Sequence, residues 1–122
     1  MIIGTGIDII EVARIEKAAQ KERFLQRVFT ERERAYFQSK NMDFQHVAGC
    51  FAAKEAVSKA LATGFQGFIW NDIEILHDEN GKPCAKLYNG AKSRMEALGG
   101  KQMQISISHI REMAVAQAIL ED

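Results

Sequence analysis

The segment DFQHVAGCFAAKEAVSKALATG, residues 43–64, most constrains what this chain can become. It reads as one long helix, with Asp43 as the N-cap, many alanines and Gly64 to close the end. In a chain of 122 residues, a helix of this length is the centre against which the rest must pack. Each helical position advances about 100°, so Phe44, Ala48, Phe51, Glu55, Ser58 and Ala62 fall within roughly 40° of one line. Glu55 therefore sits on an otherwise apolar stripe. A carboxylate buried there must pair, bind a metal or take up a proton. Lys59, one turn on, offers an i, i+4 pair worth only about 0.2–0.5 kcal/mol. Desolvation costs several kcal/mol per ion, so a third party, cation or phosphate, makes better sense of the arrangement.

A second carboxylate is equally out of place. The opening MIIGTGIDII reads as an apolar strand over residues 2–10. Side chains alternate along a strand, so Gly4, Gly6 and Asp8 share one face. Two absent side chains beside an acid predict an open slot ending in negative charge, because a strand glycine often marks close approach of a ligand. The alternative is that Asp8 caps the following helix.

The remaining pattern predicts a helix over residues 11–27, with Val12, Ile15 and Ala19 inward. Its basic residues Arg14, Lys17, Lys21, Arg23 and Arg27 outnumber Glu16 and Glu22, and Arg14, Lys17 and Lys21 follow helical spacing. They form either a solvated face or a dock for an acidic partner. Thr30 and Glu33 make a capping box for the next helix. After the long helix, NDIEIL and PCAKLY enclose HDENGK, where Asn80-Gly81 predicts a tight hairpin and Pro83 opens the returning strand. NGAKSRMEALGG reads as a helix with Ala91, Met95 and Leu98 inward. QMQISISHI and MAVAQAIL predict an antiparallel strand pair. The fold class is α+β: one domain over residues 1–122, mostly antiparallel sheet, with a long central helix and smaller helices packed on it.

At 47% hydrophobic the chain can bury a core without disulfides. Cys50 and Cys84 follow no metal or redox spacing and read as free thiols. The three histidines, His46, His77 and His109, are isolated in sequence, and zinc ligation has no support. Sixteen basic residues balance sixteen acidic ones, which argues against a nucleic-acid binder. No apolar run predicts a membrane span and no signal-peptide layout is present, so a cytoplasmic location is the expectation.

Strand acid and helix acid together suit Mg²⁺, a hard cation commonly held by one or two carboxylates plus substrate phosphates and waters. Lys59 could neutralise a phosphate. His109 ends a strand with Ile105 and Ile107 on its face; it is either a hydrogen-bonded structural residue or one that contacts phosphate or moves a proton. Ser108 points the opposite way, so a serine hydrolase is rejected. Neither GxxxxGK[ST] nor GxGxxG occurs.

GTGIDIIEVARIE (4–16), FTERE (29–33), FAAKEAVSKALATG (51–64), DIEI…DENGKP (72–83) and ISISH (105–109) together resemble the holo-[acyl-carrier-protein] synthases, the small bacterial 4′-phosphopantetheinyl transferases. The resemblance implies Mg²⁺-dependent transfer of 4′-phosphopantetheine from coenzyme A to a serine of apo-acyl carrier protein in fatty acid biosynthesis, releasing adenosine 3′,5′-bisphosphate. It implies a homotrimer with each active site between neighbouring subunits. By motif position, Asp8 and Glu55 match the metal acids and Lys59 the phosphate-contacting lysine. Ser58, Gly64, Pro83 and His109 match the coenzyme A cleft. Arg14 and its basic neighbours match the carrier-docking face. Cys50 departs from the pattern, standing where many members carry arginine, which leaves open whether another basic residue such as Lys54 compensates. Two alternatives to transfer remain at this point: a Mg²⁺-dependent nucleotide phosphohydrolase and a non-catalytic trimeric binding module.

Overall fold

The computed structural model describes all residues, 1–122. Strand β1 (Ile2–Glu11) leads into α1 (Val12–Ala18), α2 (Glu22–Val28), α3 (Glu31–Ser39) and the long α4 (Phe44–Ala60). A single 3₁₀ turn (Trp70–Asp72) precedes the hairpin β2 (Ile73–His77) and β3 (Pro83–Leu87). Then come α5 (Asn89–Ala97), β4 (Gln102–His109) and β5 (Met113–Glu121). The larger sheet runs β1-β5-β4, every pair antiparallel, and β2-β3 form a second antiparallel pair. The α+β expectation holds. No helix is long and apolar enough to cross a membrane.

Helix α4 is the centre, and it is buried nearly all round. Val47, Ala48, Ala52, Ala53, Ala56 and Val57 have no exposed surface. A helix that is apolar on most sides has no outward face to offer water. The predicted stripe is therefore not uniformly the deep one: Ala48 and Ser58 are buried, but Phe44, Phe51, Glu55 and Ala62 are not. Those four are half-buried or exposed, and they form the outer edge of the helix. The deeply buried charge is instead Lys54, fully enclosed. Its Nζ pairs with Glu33 Oε1 at 2.5 Å and donates to Val28 O at 2.6 Å. Glu33 also completes the expected capping box with Thr30 and accepts from the Ile75 backbone at 2.7 Å. Lys54 thus ties α2, α3 and α4 together and has no charge to spare for a ligand, so it does not compensate for Cys50.

The glycines of β1 serve the fold. A Cβ on Gly4 would lie 2.4 Å from Ala60 O, and one on Gly6 only 1.9 Å from Ala56 O. The slot expected beside Asp8 is filled by the backbone of α4. Opposite, β5 presents Ala114, Ala116 and Ala118, all buried. This small-residue surface lets sheet and helix approach closely. The other face of the sheet is uncovered: Ile7 and Ile9 are 61% and 63% exposed.

Three local expectations change. The predicted helix over 11–27 breaks at residues 19–21, so Lys21 is the N-cap of α2 rather than a member of one stripe with Arg14 and Lys17. Helix α4 ends at Ala60, with Leu61 as its C-cap and Ala62 in the left-handed region (φ 64°), before Gly64 is reached. The hairpin turn is wider than a two-residue loop. Gly81 N donates to Asp78 O, Asp78 Oδ1 accepts from Asn80 N and Lys82 N, and only Gly81 takes positive φ. Asp78 thus supplies the turn's hydrogen bonds, which the Asn-Gly signal alone does not include. Cys50 and Cys84 are free, as expected.

Candidate active site

Close packing of β1 on α4 decides the site. It carries Asp8, on the same inward face as Gly4 and Gly6, up to the last turns of α4. There Lys59 Nζ donates to Ile7 O at 2.9 Å and lies 3.4 Å from Asp8 Oδ1. Asp8 caps nothing: Glu11 is the N-cap of α1. Nor does Lys59 pair with Glu55 along the helix; its ion-pair partner is the strand acid. Glu55 is left with Asp8 as a like-charged neighbour. Its carboxyl is pushed above the ordinary value by burial first and by the Asp8 charge second, with Lys59 opposing. Two carboxylates therefore stand near one ammonium, which pairs with Asp8 alone and is half exposed. The cluster is short of positive charge, and its donors are hard oxygens. That is a setting for a hard divalent cation completed by phosphate oxygens. No cluster of three or more His, Cys, Asp or Glu is arranged to hold a metal by protein ligands alone.

A second centre lies at the other end of α4. A cavity of about 150 Å³ is lined by Tyr36 of α3, Gln45 and His46 of α4, His77 of β2, Pro83 of β3 and His109 of β4. His109 Nδ1 lies 2.7 Å from Gln45 Oε1. The His109 and His46 rings are 5.6 Å apart, and His77 stacks on Tyr36 at 4.0 Å. Histidines isolated in sequence are thus neighbours in space. Five elements contribute to this cavity, so no local spacing could reveal it. Between Gln45 and Glu55 the helix advances about 15 Å, which keeps the two centres apart within one chain.

The sequence-predicted residues divide accordingly. Asp8, Glu55 and Lys59 meet. Pro83 and His109 meet elsewhere. Gly64 joins neither group, lying in the loop beyond α4. Ser58 is buried on α4, its hydroxyl donating to Glu55 O at 2.7 Å. Arg14, Lys17, Lys21, Arg23 and Arg27 are all exposed, and none enters an ion pair.

An enclosed central helix, a sheet on one side, and paired acids with a lysine where the two meet define a class. Residues 4–116 match the model of the 4′-phosphopantetheinyl transferase superfamily, and the chain belongs to that family, a family of enzymes. Within it, the chain is 48% identical to the holo-[acyl-carrier-protein] synthase of Clostridium acetobutylicum, covering 99% of this chain and 98% of the relative. It is 50% identical to the synthase of Alkaliphilus oremlandii, covering 98% of each. Among solved structures, the synthase of Neisseria meningitidis superposes with TM-score 0.91 at 30% identity, with both chains fully covered. The Bacillus anthracis synthase, solved in complex with CoA (3′,5′-ADP), gives 0.84 at 41% identity over 100% of this chain and 98% of that one.

Proposed function

We propose that this protein is a holo-[acyl-carrier-protein] synthase: it transfers 4′-phosphopantetheine from coenzyme A to a serine of apo-acyl carrier protein. The observation that carries the reading is the gathering of Asp8, Glu55 and Lys59 where β1 meets α4, in a chain matched end to end by synthases. The carrier serine gives up its hydroxyl proton, to water or to a carboxylate such as Glu55, and its oxygen forms a bond to the β-phosphorus of coenzyme A. The bond from that phosphorus to the bridging oxygen breaks, and adenosine 3′,5′-bisphosphate leaves. The nucleophile arrives with the partner protein, which agrees with the lack of an activated serine or cysteine in this chain.

Asp8 and Glu55 would hold Mg²⁺, and the deficit of positive charge around Glu55 fits that role. When bound, Mg²⁺ supplies neutralisation and polarisation of the pyrophosphate oxygens. Lys59 is anchored by Ile7 O and Asp8. Its remaining donor can meet the negative charge that grows as the pyrophosphate bond breaks. Pro83 and His109 line the cavity assigned to the nucleotide end of the substrate. Arg14, Lys17, Lys21, Arg23 and Arg27 form the exposed, unpaired basic surface assigned to the acidic carrier.

A homotrimer joins the two centres. The metal acids and the histidine cavity stand on different parts of one chain, and the exposed Ile7 and Ile9 lie on an uncovered sheet face beside the polar Ser106, Ser108 and Gln117. An apolar patch with a polar rim marks an interaction surface. Packing copies through it is how acids of one subunit would face the cavity of the next. A role in cytoplasmic fatty acid biosynthesis follows from the reaction.

Incubation of apo-carrier with this protein, coenzyme A and Mg²⁺, followed by mass spectrometry, tests the reading. A gain of one phosphopantetheine group is expected. Release of adenosine 3′,5′-bisphosphate without any carrier would point to hydrolysis instead, and no turnover across several carriers would leave only a binding module.

A further inference from the structure

We propose that His46 and His77 serve as proton-dependent cations for the nucleotide cavity, so that binding a phosphomonoester there takes up protons and tightens as pH falls from about 8 toward 6.5. The inference rests on the coenzyme A reading and adds a charge mechanism to it. Coenzyme A carries a pyrophosphate, assigned to the acid pair, and one phosphomonoester at the far end of its nucleotide. The cavity has room for that group and a few waters: about 150 Å³, against roughly 30 Å³ per water.

Lys40, a permanent cation beside the cavity, stands outside its lining, with Nζ 5.7 Å from the centre of the Tyr36 ring. No lysine or arginine lines the cavity, whereas three imidazoles do. His109 commits Nδ1–H to Gln45 Oε1, since that oxygen can only accept. Its neutral form therefore meets a ligand with a lone pair at Nε2, and its protonated form with a donor. His77 Nδ1 is buried without a hydrogen-bond partner. His46 lies between these groups, its ring 6.0 Å from Tyr36 and 5.6 Å from His109.

Burial and the surrounding charges set the direction. Burial most strongly opposes a proton on His46; Asp43, the cap of α4, favours one, and His109 and then Lys40, at the end of α3, oppose it. Burial likewise most strongly opposes a proton on His77, followed by His46 and Lys40, while Asp78 of the hairpin favours one. Both imidazoles are thus held below the ordinary histidine value. Tyr36 faces both rings as a neutral phenol, raised by burial. A dianionic phosphate entering this group reverses the balance, since an opposite charge within about 4–6 Å favours the protonated ring. Reciprocity then requires that protons strengthen phosphate binding as much as phosphate strengthens proton binding. One proton taken up changes affinity by at most about tenfold per pH unit. The phosphate's own second pKa near 6 ends the gain below about pH 6.

The experiment is calorimetric titration of the full-length protein with coenzyme A and with dephospho-coenzyme A, which lacks the phosphomonoester. Measurements at pH 6.8 in buffers of different ionisation heat count the protons. Uptake of about half to one proton is expected for coenzyme A and none for the dephospho form. Coenzyme A affinity should rise about three- to tenfold from pH 8.0 to 6.8, and His46→Gln or His77→Gln should flatten that rise. Equal proton counts for the two ligands, or an unchanged pH dependence in both variants, would overturn the proposal while transfer to the carrier continued. If transfer itself failed, imidazole NMR of the wild-type protein with inorganic phosphate still decides. Upward shifts of the His46 and His77 titrations support the proposal, and unmoved titrations sink it.

Discussion

Gly6→Ala is the smallest change that should damage the site without touching a reacting group. The new Cβ would stand 1.9 Å from Ala56 O, 2.9 Å from Ala56 C and 2.9 Å from Ala60 N. All three atoms are backbone, so no rotamer relieves the clash. Real Cβ contacts do not fall below 3.0 Å, so β1 must retreat from α4 by about 1 Å. Overpacking of this kind costs about 1–3 kcal/mol. Asp8, two residues further along the same face, moves with the strand and away from Glu55 and Lys59. A misplacement of about 1 Å can cost on the order of 10²-fold in rate. Urea unfolding should therefore show the stability loss, and carrier modification followed by mass spectrometry should show a rate loss larger than any fall in the folded fraction. Gly4→Ala meets Ala60 O at 2.4 Å and lies further from Asp8, so it should cost stability with a smaller rate effect. Thr5→Val, on the exposed face, is the control. Wild-type stability and rate in Gly6→Ala would refute the claim that this close approach builds the site.

Lys59→Ala should lower the transfer rate by about 10²–10³-fold with little change in the melting curve, and Asp8→Ala or Glu55→Gln should abolish transfer at ordinary Mg²⁺; full activity in either acid variant would remove the metal assignment. Lys54→Met leaves Glu33 charged and enclosed, and should cost about 3–5 kcal/mol in urea unfolding; a loss below about 1 kcal/mol would show that Glu33 finds other compensation. Because His46 and His77 are held below the ordinary value of 6.5, the folded state binds fewer protons than the unfolded chain. Their contribution to stability is present above pH 6.5 and lost as pH falls through the folded values. The ligand-free melting temperature should drop between pH 7.5 and 5.5, and drop less in His77→Gln. Arg14→Glu should raise the concentration of carrier needed for half-maximal rate while leaving that of coenzyme A unchanged; the opposite pattern would move the docking surface elsewhere.

Much of this molecule is written in local pattern. The alanine-rich run after Asp43 becomes α4, the Thr30–Glu33 spacing becomes a capping box, and the alternation in ISIS and MAVAQAIL becomes an antiparallel pair. These features depend on propensity, caps and periodicity, which act within a few residues. Asp8 and Glu55 could also be singled out, because each places a carboxylate where periodicity demands an apolar side chain.

What they do there was decided by distant segments. Periodicity ranks Glu55 as deep and says little of Lys54, yet the reverse is true, because neighbours from α2, α3 and β2 close over the Lys54 side of α4 and leave the Glu55 edge half open. Gly4 and Gly6 look like room for a ligand, and only the docking of α4 shows that they are room for a helix. Lys59 could have paired along its own helix but turns to Asp8, whose carboxylate the strand brings within 3.4 Å. Three histidines scattered over more than sixty positions gather around one cavity because α4, the hairpin and β4 end at the same place. Propensity is a property of neighbours in the chain, whereas burial and electrostatic pairing are properties of neighbours in space, and only folding makes those known.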